Sequence, residues 1–218
     1  MVSTFSIQVN LTSGVNTITL PQTGLTLKGV SVLGVPYIAI NLSPGKVAYV
    51  PLGNPSGPGG SNNLSFKDPM FRTHYVFDSI TFNCTVPNTP SSPAIFYFGD
   101  PENDSIELEN LTGVVGSLQL TQGSSAGVMT GAINFSFPEG KINLTGMYVN
   151  VNANWAIASF PVGSGKSLNI FNSNRVGNDT IHPLMVEGSQ SFSVNLSSYV
   201  NASATNTIYI IIYYQVVT

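Results

Sequence analysis

Apolar and polar residues alternate with a period of two along much of this chain, in Phe5–Leu11, Asn16–Leu20, Ile80–Cys84, Phe192–Leu196 and Ile208–Val217. That period belongs to strands that bury one face. Clusters of Gly, Pro, Asn and Ser punctuate the runs and read as turns. No window sustains an apolar stripe of period 3.6; the nearest, residues 105–112, is short. The pattern predicts an all-β protein, and many short strands with regular turns point to a sandwich, jelly roll or barrel.

Sliding the chain against itself exposes an internal repeat. At an offset of 117, Ser13–Ile40 lies over Thr130–Ile157 without a gap, with identities at Gly14/Gly131, Pro21/Pro138, Leu27/Leu144, Gly29/Gly146, Val32/Val149, Ala39/Ala156 and Ile40/Ile157. At an offset of 112, DSITFNCT (78–85) lies over QSFSVNLS (190–197) with the same alternation. The apolar run SPAIFYFGD and the run NTIYIIIYYQ each close their half. Three blocks in the same order predict two tandem, internally duplicated sandwich or jelly-roll-like domains. They are expected at 1–100 and 113–218, joined by an acidic linker at 101–112. Each copy has room for seven or eight strands. Half of all the acids, Asp100, Glu102, Asp104, Glu107 and Glu109, fall in or beside that linker, as expected of an exposed connection. Gly53–Asn63 reads as a flexible loop inside the first domain.

Composition changes the picture of the surface. Charged residues make up 8% of the 218, against a usual value of about 25%. Apolar residues reach 42%, ample for two cores. The polar exterior is therefore neutral, drawn from 26 Ser, 18 Thr and 22 Asn. Such a surface suits strong acid, where carboxylates protonate and charge pairing is lost. Seven scattered Lys and Arg exclude a nucleic-acid binder, which needs a basic stripe. The apolar run Ile208–Tyr214 is far short of the ~20 residues that span a bilayer, so no membrane span is expected. The first residues, MVSTFSIQVNLTSG, read as a strand and not as a signal peptide. Cys84 is the only cysteine, so both cores must stand without an internal disulfide. Its phase places it inward with Ile80 and Phe82, as a structural thiol and not a nucleophile.

Eleven Asn-X-Ser/Thr sequons are present, where composition alone predicts roughly four or five. Asn10, Asn63, Asn83, Asn103, Asn110, Asn134, Asn143, Asn178, Asn195 and Asn201 are the glycosylation candidates; Asn41 is set aside because Pro44 follows its sequon. Asn83 and Asn195 fall on the outward face of their strands. Other chemistry is absent from the pattern. Neither His74 nor His182 has a ligand or base beside it. GSGKS (163–167) resembles the end of a phosphate-binding loop, but Phe160 stands where its leading glycine belongs and no helix follows. Asp100, Glu102 and Asp104 have calcium-like spacing but read as a solvated linker, and Glu107 and Glu109 give no defined glycosidase pair. No catalytic, cofactor or metal site is expected, and the chain is read as no enzyme.

Two β domains with few charges, no disulfide and many sequons resemble the jelly-roll vertex and turret proteins of turreted icosahedral viruses of thermoacidophilic archaea. The resemblance spans the whole chain in architecture and composition, and no motif transfers a site. It implies a structural virion protein, a penton-base or turret subunit at the particle surface. Such a subunit would form a homo-oligomer, a pentamer at a vertex, and touch other capsid proteins and a host glycan or receptor. An archaeal filament subunit, adhesin or surface-layer component is the alternative. A carbohydrate-binding module, using Trp155 and the nine Tyr as stacking platforms, is a third. The segment IYIIIYYQVV is expected to be a central core strand before a self-association surface.

Overall fold

The computed structural model describes residues 5–33, 35–43, 45–52, 61–64, 75–87, 91–100, 111–137, 141–151, 155–163, 166–172, 177–179, 184–187 and 191–217. The chain divides into two compact units, Met1–Thr112 and Gly113–Thr218. The first holds β1 (Phe5–Leu11), β2 (Gly14–Thr19), β3 (Leu25–Leu33), β4 (Tyr37–Ser43), β5 (Lys46–Pro51), β6 (Ser61–Leu64), β7 (Val76–Phe77), β8 (Thr81–Val86) and β9 (Ser92–Gly99). Its pairing is that of one long hairpin: β1 with β9, β2 with β8, β3 with β6 and β7, β4 with β5. The hairpin then rolls up, because β9 also pairs with β3 and β8 with β4. Two sheets result, ordered β1-β9-β3-β6 and β2-β8-β4-β5, which is a jelly roll and not an immunoglobulin-type sandwich.

The second unit repeats this plan with β10 (Gly113–Thr121), β11 (Gly127–Ser136), β12 (Lys141–Val151), β13 (Ala156–Gly163), β14 (Lys166–Asn172), β15 (Gly177–Asp179), β16 (Leu184–Glu187), β17 (Ser191–Val200) and β18 (Thr205–Val217). Its sheets run β10-β18-β12-β15 and β11-β17-β13-β14. The fold is thus all-β, two tandem copies of one jelly roll. Leu111, expected in the linker, is buried, and Thr112 bridges to Ala48, so both belong with the first unit. Residues 101–110 of the acidic segment lie outside the described residues.

One detail ties the repeat to geometry. The β3 to β9 ladder slips by one residue between Leu27 and Gly29, and the β12 to β18 ladder slips between Leu144 and Gly146. These are repeat identities, and they mark the same β-bulge in both copies. Buried Leu25 and Leu27 are followed by buried Val30 and Val32; Ile142 and Leu144 are followed by Met147 and Val149. The extra residue, Lys28 or Thr145, absorbs the break in phase so that both halves of the strand face the core.

The cores follow from the alternation. In the first unit Phe82 of β8 meets Phe96 and Phe98 of β9 across the sandwich, with ring centroids 6.0 Å apart in each pair, and Phe77 packs against Phe82 at 4.8 Å with the rings tilted by 35°. The second core is more aliphatic: Ile208, Ile210 and Ile212 of β18, with Met147 beside them on β12, cluster with Phe135 and Phe160 of the other sheet. The central strand β18 also buries Ile211 and Tyr213 on its opposite face. The IYIIIYYQVV segment is therefore a central strand, paired with β10 on one side and β12 on the other. No helix among the described residues is long and apolar enough to cross a membrane.

Candidate functional site

The outward faces of β8 and β17 carry the sequons that the alternation places there. Asn83 and Asn195 are exposed, each between inward-facing core residues, Phe82 and Cys84 in one strand and Val194 and Leu196 in the other. Neutral side chains bond across the strands around them. The Thr17 hydroxyl donates to Asn83 Oδ1 (2.9 Å), Ser193 donates to Asn134 Oδ1, and Ser159 donates to Asn169 Oδ1 (2.7 Å). Thr121 and Thr205 form a similar pair at 2.9 Å.

The sequons do not stand alike. Asn10, Asn41, Asn83, Asn134, Asn195 and Asn201 are exposed. Asn143 is not: it lies on β12 between β16 and β18, half-buried, and its Oδ1 is buried without a hydrogen-bond partner among the described residues. It lies on the side opposite Ile142 and Leu144, and that side is itself covered, as buried Tyr148 on the same strand attests. Asn63 and Asn178 fall in β6 and β15. Asn103 and Asn110 lie outside the described residues, as do His74 and His182.

The first unit has a cleft where two strands part. β4 pairs with β8 only at Ala39↔Thr85 and Ile40↔Cys84. Beyond Ile40, β4 follows β5, and a register shift between Asn41 and Ser43 accompanies its departure from β8. Gly45, at φ 81°, helps close that hairpin in a conformation that a side chain would disfavour. The resulting hollow measures about 410 Å³. Phe77, Phe82, Leu42 and Val47 give it an apolar floor, and Asn41, Lys46, Asp78, Ser79, Thr81 and Asn83 a polar rim. The Tyr75 hydroxyl occupies the Leu42 carbonyl that β8 leaves unpaired, donating to it at 2.6 Å. In the second unit a flatter hollow of about 490 Å³ surrounds Asn195, made by Gly131 and Ala132 beside Thr130, Ser159 and Ser197.

The other sequence candidates resolve as structural parts. Cys84 is fully buried, and burial pushes its thiol up to about 12, which removes the thiolate a nucleophile needs. Gly163 ends β13, and Lys166 and Ser167 begin β14, paired back on it; a hairpin offers no helix N-terminus for a phosphate. Trp155 is half-buried, and its carbonyl accepts a 2.7 Å hydrogen bond from Ser198. Large apolar side chains that stand exposed among the described residues are aliphatic: Val15, Val76, Ile80, Val128 and Val216. The described residues hold no group of three or more His, Cys, Asp or Glu able to bind a metal ion.

No family model matches the chain, and no curated protein does. Among solved structures it is similar to the major capsid protein of bacteriophage PM2, at 9% identity and TM-score 0.40 over 98% of each chain. A turret protein of Sulfolobus turreted icosahedral virus aligns at 8% identity and TM-score 0.26 over 98% of this chain and 100% of that one. An oxalate decarboxylase of Bacillus subtilis aligns at 9% and 0.25 over 96% of this chain and 68% of that one.

Proposed function

We propose that this chain is a structural subunit of a virion, standing at a capsid vertex with its outward loops and glycans in the medium, and that it works by assembly and not by catalysis. The observation that carries this reading is how the two jelly rolls use their space. A jelly roll serves as shell, lectin or enzyme according to what fills its interior and ends. Here the second interior is packed with apolar side chains from both sheets, and the first by its phenylalanine cluster. The volume in which an enzyme of this architecture would assemble convergent polar groups is occupied by core.

The outward faces support the same reading. Their cross-strand bonds join neutral hydroxyls and amides, which hold at any pH where the protein is folded, as a particle in an acidic medium requires. Exposed sequon asparagines on β1, β8, β11 and β17 supply attachment points for a glycan coat. The subunit is a homo-oligomer, a pentamer in a vertex, with other capsid proteins as partners and a host glycan or receptor outside.

Electron microscopy of the protein in its natural source tests this. Five copies around the vertices of an icosahedral shell, each with two jelly rolls, is the expected result. Continuous filaments or a flat cell-surface lattice would overturn it in favour of an archaeal surface protein.

A further inference from the structure

We infer that the cleft between β4 and β8 is the seat of the protein's own sugar: the first residues of a glycan on Asn83 lie in it, against Leu42 and Val47. This rests on the reading that the exposed sequons are glycosylated and adds where one glycan goes and why. The direction comes from the carboxamide. β8 lies between β2 and β4, and the Thr17 hydroxyl on β2 holds Asn83 Oδ1 at 2.9 Å. The two arms of a planar amide diverge, so with Oδ1 held toward β2 the Nδ2 arm points toward β4 and the cleft, whose wall Asn83 forms. That nitrogen carries the sugar in an N-glycan.

The cleft fits the cargo. At about 410 Å³ it sits at the lower end of the roughly 300–1,000 Å³ usual for small-ligand sites, room for one or two sugar rings. Its apolar floor meets the C–H face of a pyranose, while Asp78, Ser79, Thr81 and Lys46 on the rim offer donors and acceptors to hydroxyls. Asn41 stands on the same rim, one step beyond the Ile40↔Cys84 pair. One seat takes one glycan, so Asn41 stays bare when Asn83 is occupied. Asn10, exposed on β1, lines no part of this cleft.

Peptide mass spectrometry on protein from its natural source reads occupancy. Sugar on Asn83 with Asn41 bare is expected; a bare Asn83, or both modified on one molecule, overturns the inference. Hydrogen exchange then separates the seat from the modification. Thr85→Val abolishes the Asn83 sequon while leaving Asn83 and Thr17 in place, and Thr12→Val does the same for Asn10. With all chains made in one N-glycosylating host, backbone amides of residues 41–43 and 45–47 should exchange roughly tenfold or more faster in Thr85→Val than in the wild type. Thr12→Val should leave them unchanged. An occupied Asn83 whose loss leaves residues 41–43 and 45–47 unchanged would mean that the glycan points into solvent, overturning the seat while the glycosylation reading stands.

Discussion

Gly116 and Gly131 face each other's strands at the edge where β10 and β11 close the second sandwich, and they predict unequal costs for the same substitution. A Cβ on Gly116 would run into Ile133 Cγ2 and come within 3.1 Å of two ring atoms of Phe135. Ile133 is β-branched and stiff at χ1, and Phe135 is 3% exposed within the core, so neither can swing aside. Overpacking of this kind costs about 1–3 kcal/mol, offset by about 0.4–1 kcal/mol from the stiffer unfolded chain. The expected net loss for Gly116→Ala is about 1–2 kcal/mol. On Gly131 the first contact is Leu118 Cδ2 at 2.6 Å, the free end of a half-buried side chain that can rotate. Gly131→Ala should stay within about 0.5 kcal/mol of wild type. The single tryptophan, Trp155, lies in the second unit, so its fluorescence during urea unfolding reports the unit that carries both changes. At about 4–8 °C per kcal/mol for a unit of this size, the Gly116 variant should also melt visibly earlier. A Gly116→Ala protein as stable as wild type, or a Gly131→Ala protein hurt as much, would refute the packing argument.

Three further outcomes are expected. Between pH 9.0 and about 12 an unfolded Cys84 thiol ionises while the buried one keeps its proton; the unfolded state then binds fewer protons, so stability is full below pH 9.0 and falls as pH rises. The fall is about 1.4 kcal/mol per pH unit and about 4 kcal/mol over the window. Burial also raises Tyr209, Tyr213 and Tyr214, which adds loss only above pH 10; urea titrations of wild type and Cys84→Ala from pH 9 to 10 therefore isolate the thiol, and equal slopes would contradict it. Site-resolved glycopeptide analysis should find Asn195 modified and Asn143 bare, since the Asn143 Oδ1 is buried on a central strand; sugar on Asn143 would show that its face is open. Asn10 and Asn134 sit on the edge strands β1 and β11, so Thr12→Val with Ser136→Ala should promote self-association by exposing two unguarded edges, and unchanged light scattering would refute that.

The period-two alternation located strands because it reports which face of a strand is apolar. Segments 5–11, 80–84 and 208–217 fall largely on β1, β8 and β18, and Cys84 and Phe82 point inward as their phase requires, whereas Ile80, expected inward with them, precedes β8 and is exposed. Alternation says nothing of what lies beyond a face, which is why Asn143 reads as a surface sequon and proves half-buried. The repeat carried more than similarity. The pairs Leu27/Leu144 and Gly29/Gly146 flank one bulge, and the broken phase around Lys28 and Thr145 was its visible signature. Identity did not always mean a shared role. Gly14 adopts φ 93° with open space around it, whereas Gly131 is an approach point for Leu118. The cleft was invisible beforehand, since it arises where β4 leaves β8 and depends on pairing between residues more than forty positions apart.

The scarcity of charge and the density of cross-strand hydroxyl and amide pairs are two sides of one arrangement. A surface ion pair contributes about 0–1 kcal/mol and weakens as acid or salt removes its Coulomb attraction. A cross-strand polar pair contributes about 0.2–1 kcal/mol, a comparable amount, without a titrating group. Thr17 with Asn83, Ser193 with Asn134, Ser159 with Asn169 and Thr121 with Thr205 therefore replace ion pairs at little loss in neutral medium and with an advantage in acid. What they do not replace is repulsion between molecules, which charged side chains on edge strands ordinarily provide. Val15 on β2 and Val128 on β11 are 66% and 57% exposed on just such edges. On the function proposed above, a glycan at Asn134, on the same strand as Val128, would supply neutral bulk at such an edge, where a lysine would otherwise stand.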